Sequence, residues 1–227
     1  GVTPYGNLGE VENRGVDVSL EYNKAFNKDL LVSVRGTFTY AHNEVKARDE
    51  AKYLPNKYNS VLGKPVNSVY GLVADGLFAS QEEIDNSPKQ QFGNYTVGDI
   101  KYRDLNGDGV IDDLDKVECG SGIPKLEVNL NFSVAWRGFD LSGVLGSAWG
   151  HKLYNGNRYF YESMNAGSNF LKSSLDAWTP QNTNTDVPRA IFQDPNGNLK
   201  ESDRFLENGN FVRLRQIQLG YTIPARL

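Results

Sequence analysis

Leu126-Glu127-Val128-Asn129-Leu130-Asn131-Phe132-Ser133-Val134-Ala135-Trp136, then Arg137-Gly138, then Phe139 to Trp149, is the stretch that decides the fold. Leu126, Val128, Leu130, Phe132, Val134 and Trp136 fall on one face of an extended chain, and Glu127, Asn129, Asn131 and Ser133 on the other. Strict alternation of this kind is the mark of a β-strand with one apolar and one polar face. Two residues then separate it from a second strand-like run, which predicts a hairpin.

The pattern repeats upstream. Val16, Val18, Leu20 and Tyr22 oppose Asp17, Ser19 and Glu21, and Val32, Val34, Phe38 and Tyr40 oppose Ser33, Arg35, Thr37 and Thr39. A turn over Asn23 to Asp29 joins these two. A soluble sandwich and a membrane barrel both produce alternation, so periodicity alone leaves the two open. Strand length favours the barrel, because runs of about ten residues suit a tilted bilayer crossing whereas soluble strands average about five or six. Connection length agrees. Tight turns alternate with long connections at 43–125 and 150–210, the asymmetry of outer-membrane barrels with short periplasmic turns and long extracellular loops. The expected class is therefore all-β, an antiparallel transmembrane β-barrel portion whose long extracellular loops contain short helices and a calcium loop. Trp136, Phe139, Tyr22 and Phe26 would sit near the short turns, either as an aromatic girdle or as ordinary core filling.

In the last strand, Phe211 to Ile223, Val212 and Leu214 point one way and Ile217, Leu219, Tyr221 and Ile223 the other. Either a bulge shifts the register near Arg215 and Gln216, or the first residues extend past the membrane. The second is the expectation, because Arg213 and Arg215 are costly against lipid.

Within the first long connection, Asp104-Leu105-Asn106-Gly107-Asp108-Gly109-Val110-Ile111-Asp112-Asp113-Leu114-Asp115 has oxygen ligands at positions 1, 3, 5, 9 and 12 of a twelve-residue calcium loop and glycine at position 6. Asp104, Asn106 and Asp108 alternate along a tight turn, and the Val110 carbonyl supplies position 7. Asp112 coordinates directly or through water, and Asp115 takes the closing place that a longer glutamate fills in EF-hands. Hard oxygen donors in a flexible loop suit Ca2+ better than magnesium, as a structural ion that staples the loop. The other reading is a solvated Asn/Gly/Asp turn without metal.

A polar stretch, Lys46 to Lys57, precedes a predicted strand pair near Ser68–Tyr70 and Gly76–Phe78. Ser80-Gln81-Glu82-Glu83-Ile84 then reads as an N-capped helical turn. In the second connection, Ser163 to Trp178 is predicted as a helix with Phe170, Leu171, Leu175 and Trp178 on one face, ended by Pro180. Tyr154, Tyr159, Phe160 and Tyr161 form an aromatic cluster beside it. Tyr154, Tyr159, Tyr161 and Trp178 are the candidate substrate-stacking residues, with a protein interface or a local loop core as the alternatives.

The 227 residues are 39% hydrophobic and 11% aromatic, with a net charge of -4. Lys and Arg are scattered, which excludes a nucleic-acid stripe. The one cysteine, Cys119, forms no internal disulfide, and no Cys/His metal spacing occurs. The two histidines, His42 and His151, lie in no nucleophile motif, and there is no Gly-x-Ser-x-Gly elbow or phosphate loop, so no enzyme is expected. No apolar run reaches eighteen residues, which excludes a spanning helix and leaves a spanning barrel open. The ends lack an initiating methionine and a signal peptide and look cut, so the sequence reads as part of something longer.

Gly98-Asp99-Ile100-Lys101-Tyr102-Arg103-Asp104-Leu105-Asn106-Gly107-Asp108-Gly109-Val110-Ile111-Asp112 resembles the calcium-loop signature of SusC/RagA-like TonB-dependent outer-membrane transporters of Bacteroidetes. Trp178-Thr179-Pro180-Gln181-Asn182 with Val187-Pro188-Arg189 is similar to a second stretch of that family. So is Leu206-Glu207-Asn208-Gly209-Asn210-Phe211-Val212-Arg213-Leu214-Arg215, running into Leu219-Gly220-Tyr221-Thr222-Ile223-Pro224. Glu12-Asn13-Arg14-Gly15-Val16-Asp17 resembles one of its strand starts. The resemblance implies that residues 1–227 are a C-terminal part of a large β-barrel in the bacterial outer membrane, with the plug domain, the TonB-contacting region and the final strands outside this sequence. It implies nutrient import, of glycan or peptide, with a SusD-like surface lipoprotein as lid, energy through TonB, and outer-membrane lipid around the wall. It also implies a calcium site at Asp104, Asn106, Asp108, Val110, Asp112 and Asp115. The alternative is a secreted soluble β-sandwich module that binds carbohydrate and carries a structural calcium.

Overall fold

The computed structural model describes residues 8–50, 60–164 and 169–223. Five long strands form one antiparallel sheet: β1 (Glu10–Asn27), β2 (Leu30–Ala47), β3 (Leu126–Trp136), β4 (Phe139–Trp149) and β5 (Phe211–Tyr221), in the order β1-β2-β3-β4-β5. Each strand pairs with its neighbour in sequence; tight turns join β1 to β2 and β3 to β4, and the long connections join β2 to β3 and β4 to β5. Arg137 and Gly138 both have positive φ, 48° and 86°, the conformation that a two-residue turn between twisted strands demands. At the other turn the Asn27 side chain accepts from the Asp29 N–H at 2.9 Å. The two turns are joined by a bond from the Arg137 N–H to the Asp29 carbonyl, 3.1 Å.

Register turns the separate alternations into one surface. Val18 lies beside Phe38, Phe38 beside Val128, and Val128 beside Ser147; lower down, Val34 meets Phe132, and Val134 meets Leu141, which meets Leu219. Every strand contributes to this apolar face; Leu20 is 73% and Leu219 74% accessible, and Val34, Phe132 and Val134 in the middle are half-buried. Two aromatic rows bound it. Trp136, Phe139 and Tyr221 lie in register at the short-turn end, and Tyr40 and Trp149 flank Leu126 at the other. Beyond Tyr40 the same face turns charged, with Arg14 beside His42 and Glu12 beside Glu44.

Strand β5 corrects the expectation that its first residues run past the apolar band. The register shifts at Arg215, since Val144 pairs with Gln216 and Leu145 with Leu214. This is the bulge of the other reading. One extra residue restores parity, so Val212, Leu214, Ile217, Leu219 and Tyr221 all join the apolar face.

The buried core lies elsewhere. Of the apolar side chains on the long strands only Ala148 is buried among the described residues, whereas Leu72, Phe78, Ile100, Tyr102, Ile111, Val187 and Phe205, all in the connections, are buried. Short strands carry them. Ser68–Gly71 pairs with Val117–Ser121, Ala74–Leu77 with Ile100–Tyr102, and Lys89–Gln90 runs parallel to Val110–Ile111. The predicted partnership of Ser68–Tyr70 with Gly76–Phe78 therefore does not form, because Leu72 between them packs on Ile100, Tyr102 and Ile111 and each segment takes a distant partner instead.

Ser80 caps a helical turn, Gln81–Asp85, as expected, accepting from the Glu83 N–H at 3.1 Å. The helix expected over Ser163 to Trp178 is reduced to a 3-10 turn at Lys172–Asp176, with residues 165–168 outside the described set. Ser173 and Ser174 spend their hydroxyls on Glu162 and the Tyr161 carbonyl, the competition by which serine undermines helices. Leu175 is consequently 85% exposed, and the four-residue apolar face does not assemble. Strand β2 runs five residues into the stretch expected to be loop, through Asn43 to Ala47. The polar stretch Lys46 to Lys57 lies partly, and the terminal Pro224 wholly, outside the described residues. No helix among them is long and apolar enough to cross a membrane.

Candidate functional site: the junction of the two long connections

Residues of the separate resembling stretches meet at Asp99. Its carboxylate is fully buried and gathers five donors. Arg189 binds it with two prongs, Nε to Oδ1 at 2.7 Å and Nη2 to Oδ2 at 3.0 Å. Asn196 and Asn198 donate to Oδ1 through their side-chain amides at 2.5 and 3.1 Å, and the Thr96 N–H donates to Oδ2 at 2.8 Å. A carboxylate removed from water persists only with this degree of compensation. The backbone seals the same contact: the Arg189 N–H reaches the Gly98 carbonyl at 3.0 Å, and the Ile100 N–H reaches Asn198 Oδ1 at 2.8 Å.

Trp178 belongs to this junction. Its indole lies on Gly98, where a Cβ would stand 2.3 Å from the ring, and Gly98 has φ +87°. Only glycine satisfies both conditions. Tyr102, buried below, donates from its hydroxyl to the Gly197 carbonyl at 3.1 Å, and burial pushes its acidity far below that of a free phenol.

A second ionic group holds the remainder of the long connection after β4. Buried Glu162 accepts from Arg158 at 2.9 Å and Arg204 at 3.0 Å, and Asp186 lies beside both arginines. Burial, together with the neighbouring Arg158 charge, lowers the pKa of Arg204 below its ordinary value. For Asp186, burial raises the pKa, and Arg158 and Arg204 outweigh it and hold the carboxyl below the usual range.

The loop 104–115 hangs from this junction. Gly107 and Gly109 have φ of +77° and +83°, which lets Asp104 close it: its two oxygens accept from the Gly107 and Gly109 N–H groups at 2.6 and 2.9 Å. Asn106 accepts from Asp108 N–H, Asp108 from Val110 N–H, and Asp112 from Leu114 N–H. Asp115, fully buried, accepts from the Leu105, Asn106 and Asp112 N–H groups. In kind the donor set fits a hard cation, since every ligand is oxygen. Their side chains here serve the loop's own backbone, and among the described residues no three His, Cys, Asp or Glu side chains gather where they could hold a metal ion.

The four candidate stacking residues are divided. Tyr154 and Tyr159 join a ring cluster with Phe205, at centroid separations of 6.1, 6.3 and 5.2 Å. Tyr161 is exposed and makes no ring contact among the described residues, and Trp178 sits at the Asp99 junction. Sequence reading did not single out Asp99, Arg189, Asn196 or Asn198. The available signal was that Gly98-Asp99 and Val187-Pro188-Arg189 stand in two separate resembling stretches; no single-sequence rule pairs them.

No family model matches the chain. It is 30% identical to TonB-dependent receptor P26 of Formosa agariphila over 96% of this chain and 23% of that protein. It is 22% identical to TonB-dependent receptor SusC of Bacteroides thetaiotaomicron over 95% of this chain and 21% of that one. The fold matches the structure of the RagAB peptide transporter with a TM-score of 0.73 and 25% identity, covering 98% of this chain and 24% of that one. The chain thus spans about a quarter of the length of the relatives it matches. Likeness over almost all of its residues, in sequence and in fold alike, matches the chain to a section of the SusC/RagA-like TonB-dependent transporters.

Proposed function

We propose that this chain is a section of wall and outer loops of a TonB-dependent outer-membrane importer, and that the whole transporter takes up a glycan or peptide nutrient with a SusD-like lipoprotein as lid. The carrying observation is the in-register apolar face of β1 to β5, uncovered by any second layer among the described residues and bounded by two aromatic rows. In water a face of this extent is a liability. Against hydrocarbon it is at equilibrium, and the eleven-residue lengths of β3, β4 and β5 match a tilted bilayer crossing. A sandwich module would cover this face with a second sheet, which is why the soluble carbohydrate-binding reading ranks below it.

On this reading the polar face looks into the barrel, the tight turns lie in the periplasm, and the joined connections stand outside the cell. Loop 104–115 takes a calcium ion. Asp104, Asn106, Asp108, the Val110 carbonyl and Asp112 would hold it and Asp115 would close the loop, the ion supplying positive charge that stiffens an acidic turn. The aromatic residues Tyr154, Tyr159, Tyr161 and Trp178 remain the proposed contacts to sugar or peptide. The test places a tryptophan at Leu219, a lipid-facing position, in the full-length transporter with its native tryptophans replaced by phenylalanine, reconstituted with brominated lipid. Quenching there, with none at a tryptophan placed at Gln218, is the expected result. Equal quenching at both positions, or at neither, overturns the reading.

A further inference from the structure

Arg215, the extra residue of the β5 bulge, does more than reset parity. Its side chain crosses β4 on the polar face over Gly146: a Cβ at Gly146 would stand 2.6 Å from Arg215 Nε and 3.0 Å from both its Cζ and Asn129 Oδ1. Glycine at this position gives the guanidinium room beside Asn129. Arg213 lies in the same row, beside Gly146. From the opposite side comes Arg35, which pairs with Asn131 and donates from Nε to Ser19 Oγ at 3.2 Å. Among the described residues no carboxylate forms an ion pair with any of the three, although nine other basic side chains there find a carboxylate within 4 Å. Of the acids on this face, Asp17 and Glu127 occupy the row nearer the loops, Asp140 the row beside the short turn, and Glu21, directly across from Arg35, accepts from Asn23 at 2.6 Å.

Bulges recur beside functional sites because they re-aim one side chain. Guanidinium is a rigid fork that matches a carboxylate with two parallel bonds. We propose that Arg35, Arg213 and Arg215 form a carboxylate-binding strip, so that the imported nutrient is an acidic oligomer whose carboxylates meet the arginines in turn. The assignment rests on the polar face being the barrel interior. The carboxylates come either from acidic sugars or from acidic residues of a peptide; the chemistry is shared, and the test separates them.

Binding to the purified full-length transporter is measured for two matched pairs: hexagalacturonate against its methyl ester, and hexa-aspartate against hexa-asparagine. One forked, charge-assisted contact corresponds to a preference of about tenfold or more. The acidic member of one pair is expected to bind at least about tenfold tighter, and which pair does so identifies the source. In Arg35→Gln/Arg215→Gln the preference falls to less than about threefold, while Arg215→Lys, which keeps the charge, retains part of it. Absence of any acid preference in the natural protein, or a preference unchanged in the double variant, overturns the proposal. Bromolipid quenching at Leu219→Trp is read in the same preparations. Quenching without acid preference refutes the strip alone, and absence of quenching refutes the barrel reading beneath it.

Discussion

Arg189 and Asp99 stand 90 residues apart in the chain and share two hydrogen bonds, 2.7 and 3.0 Å long, that fasten one long connection to the other. Asp99 is fully buried, so losing Arg189 strands a charge away from water.

Removal of one partner from a buried pair costs about 3–5 kcal/mol. Arg189→Ala is therefore expected to raise the rate of proteolytic cleavage in both long connections of the intact transporter together. Arg189→Lys, which offers one prong in place of two, recovers part of the protection. Cleavage confined to the 150–210 connection would show that the pair does not couple them.

Gly98→Ala meets two obstacles at one atom, the Trp178 ring at 2.3 Å and a backbone φ of +87°. Backbone strain and overpacking each cost roughly 1–3 kcal/mol. The variant is expected to lose the Trp178 environment, read as a red shift of its fluorescence in a protein whose other tryptophans are replaced by phenylalanine. An unchanged spectrum would contradict the packing.

Chelation provides a third test. In the intact transporter, withdrawing calcium is expected to speed cleavage within 104–115, and added calcium to restore protection. In Asp104→Ala the calcium-dependent difference disappears. Equal cleavage with and without calcium argues for a loop closed by its own N–H bonds alone.

Burial pushes the Cys119 thiol from 9.0 up to about 11. Because the thiolate is the reactive species, maleimide labelling at pH 7.5 should be about a hundredfold slower than for an exposed cysteine. The rate should climb about tenfold per pH unit and level off near 11. The folded pKa is raised, so the thiol's contribution to stability is complete below pH 9 and is lost as pH rises through about 11. Rapid labelling at neutral pH would show that the thiol is not enclosed.

Deleting Arg215 closes the bulge and leaves a strictly alternating strand, because Leu214 already pairs with Leu145 and Gln216 with Val144. Val212, Leu214, Ile217 and Leu219 then keep the apolar face. The deletion is expected to assemble in the outer membrane, as is Arg215→Ala, whereas deleting Gln218, which makes Ile217 and Leu219 adjacent and turns one side of the break to the opposite face, abolishes assembly. Equal assembly of both deletions would mean that parity in β5 is not enforced.

The long strands were legible because each carries its own pattern. Leu126 to Trp136 declares its period without reference to any neighbour. Reading β5 failed at one residue because a bulge is a property of the pair: nothing in Arg215 itself distinguishes an extra residue from the start of an exposed segment. The connections were harder for a related reason. Leu72, Ile100 and Ile111 build a core across forty residues, and Asp99 finds Arg189 across ninety, so the forces that settle them are tertiary. The predicted apolar helix face around Leu175 had the right spacing, and the serines beside it redirected the backbone. Ser80 was legible because capping is decided within four residues.

The apolar nucleus of Leu72, Ile100, Tyr102 and Ile111 sits wholly outside the five-stranded sheet. On the proposed reading, two solvents govern one polypeptide. Calorimetry of the reconstituted transporter should resolve two transitions: one for the watery lobe, shifted by urea and by ionic conditions, and one for the strands, shifted by acyl-chain length. Exchanging a thick bilayer for a thin one should move the second transition and leave the first where it was.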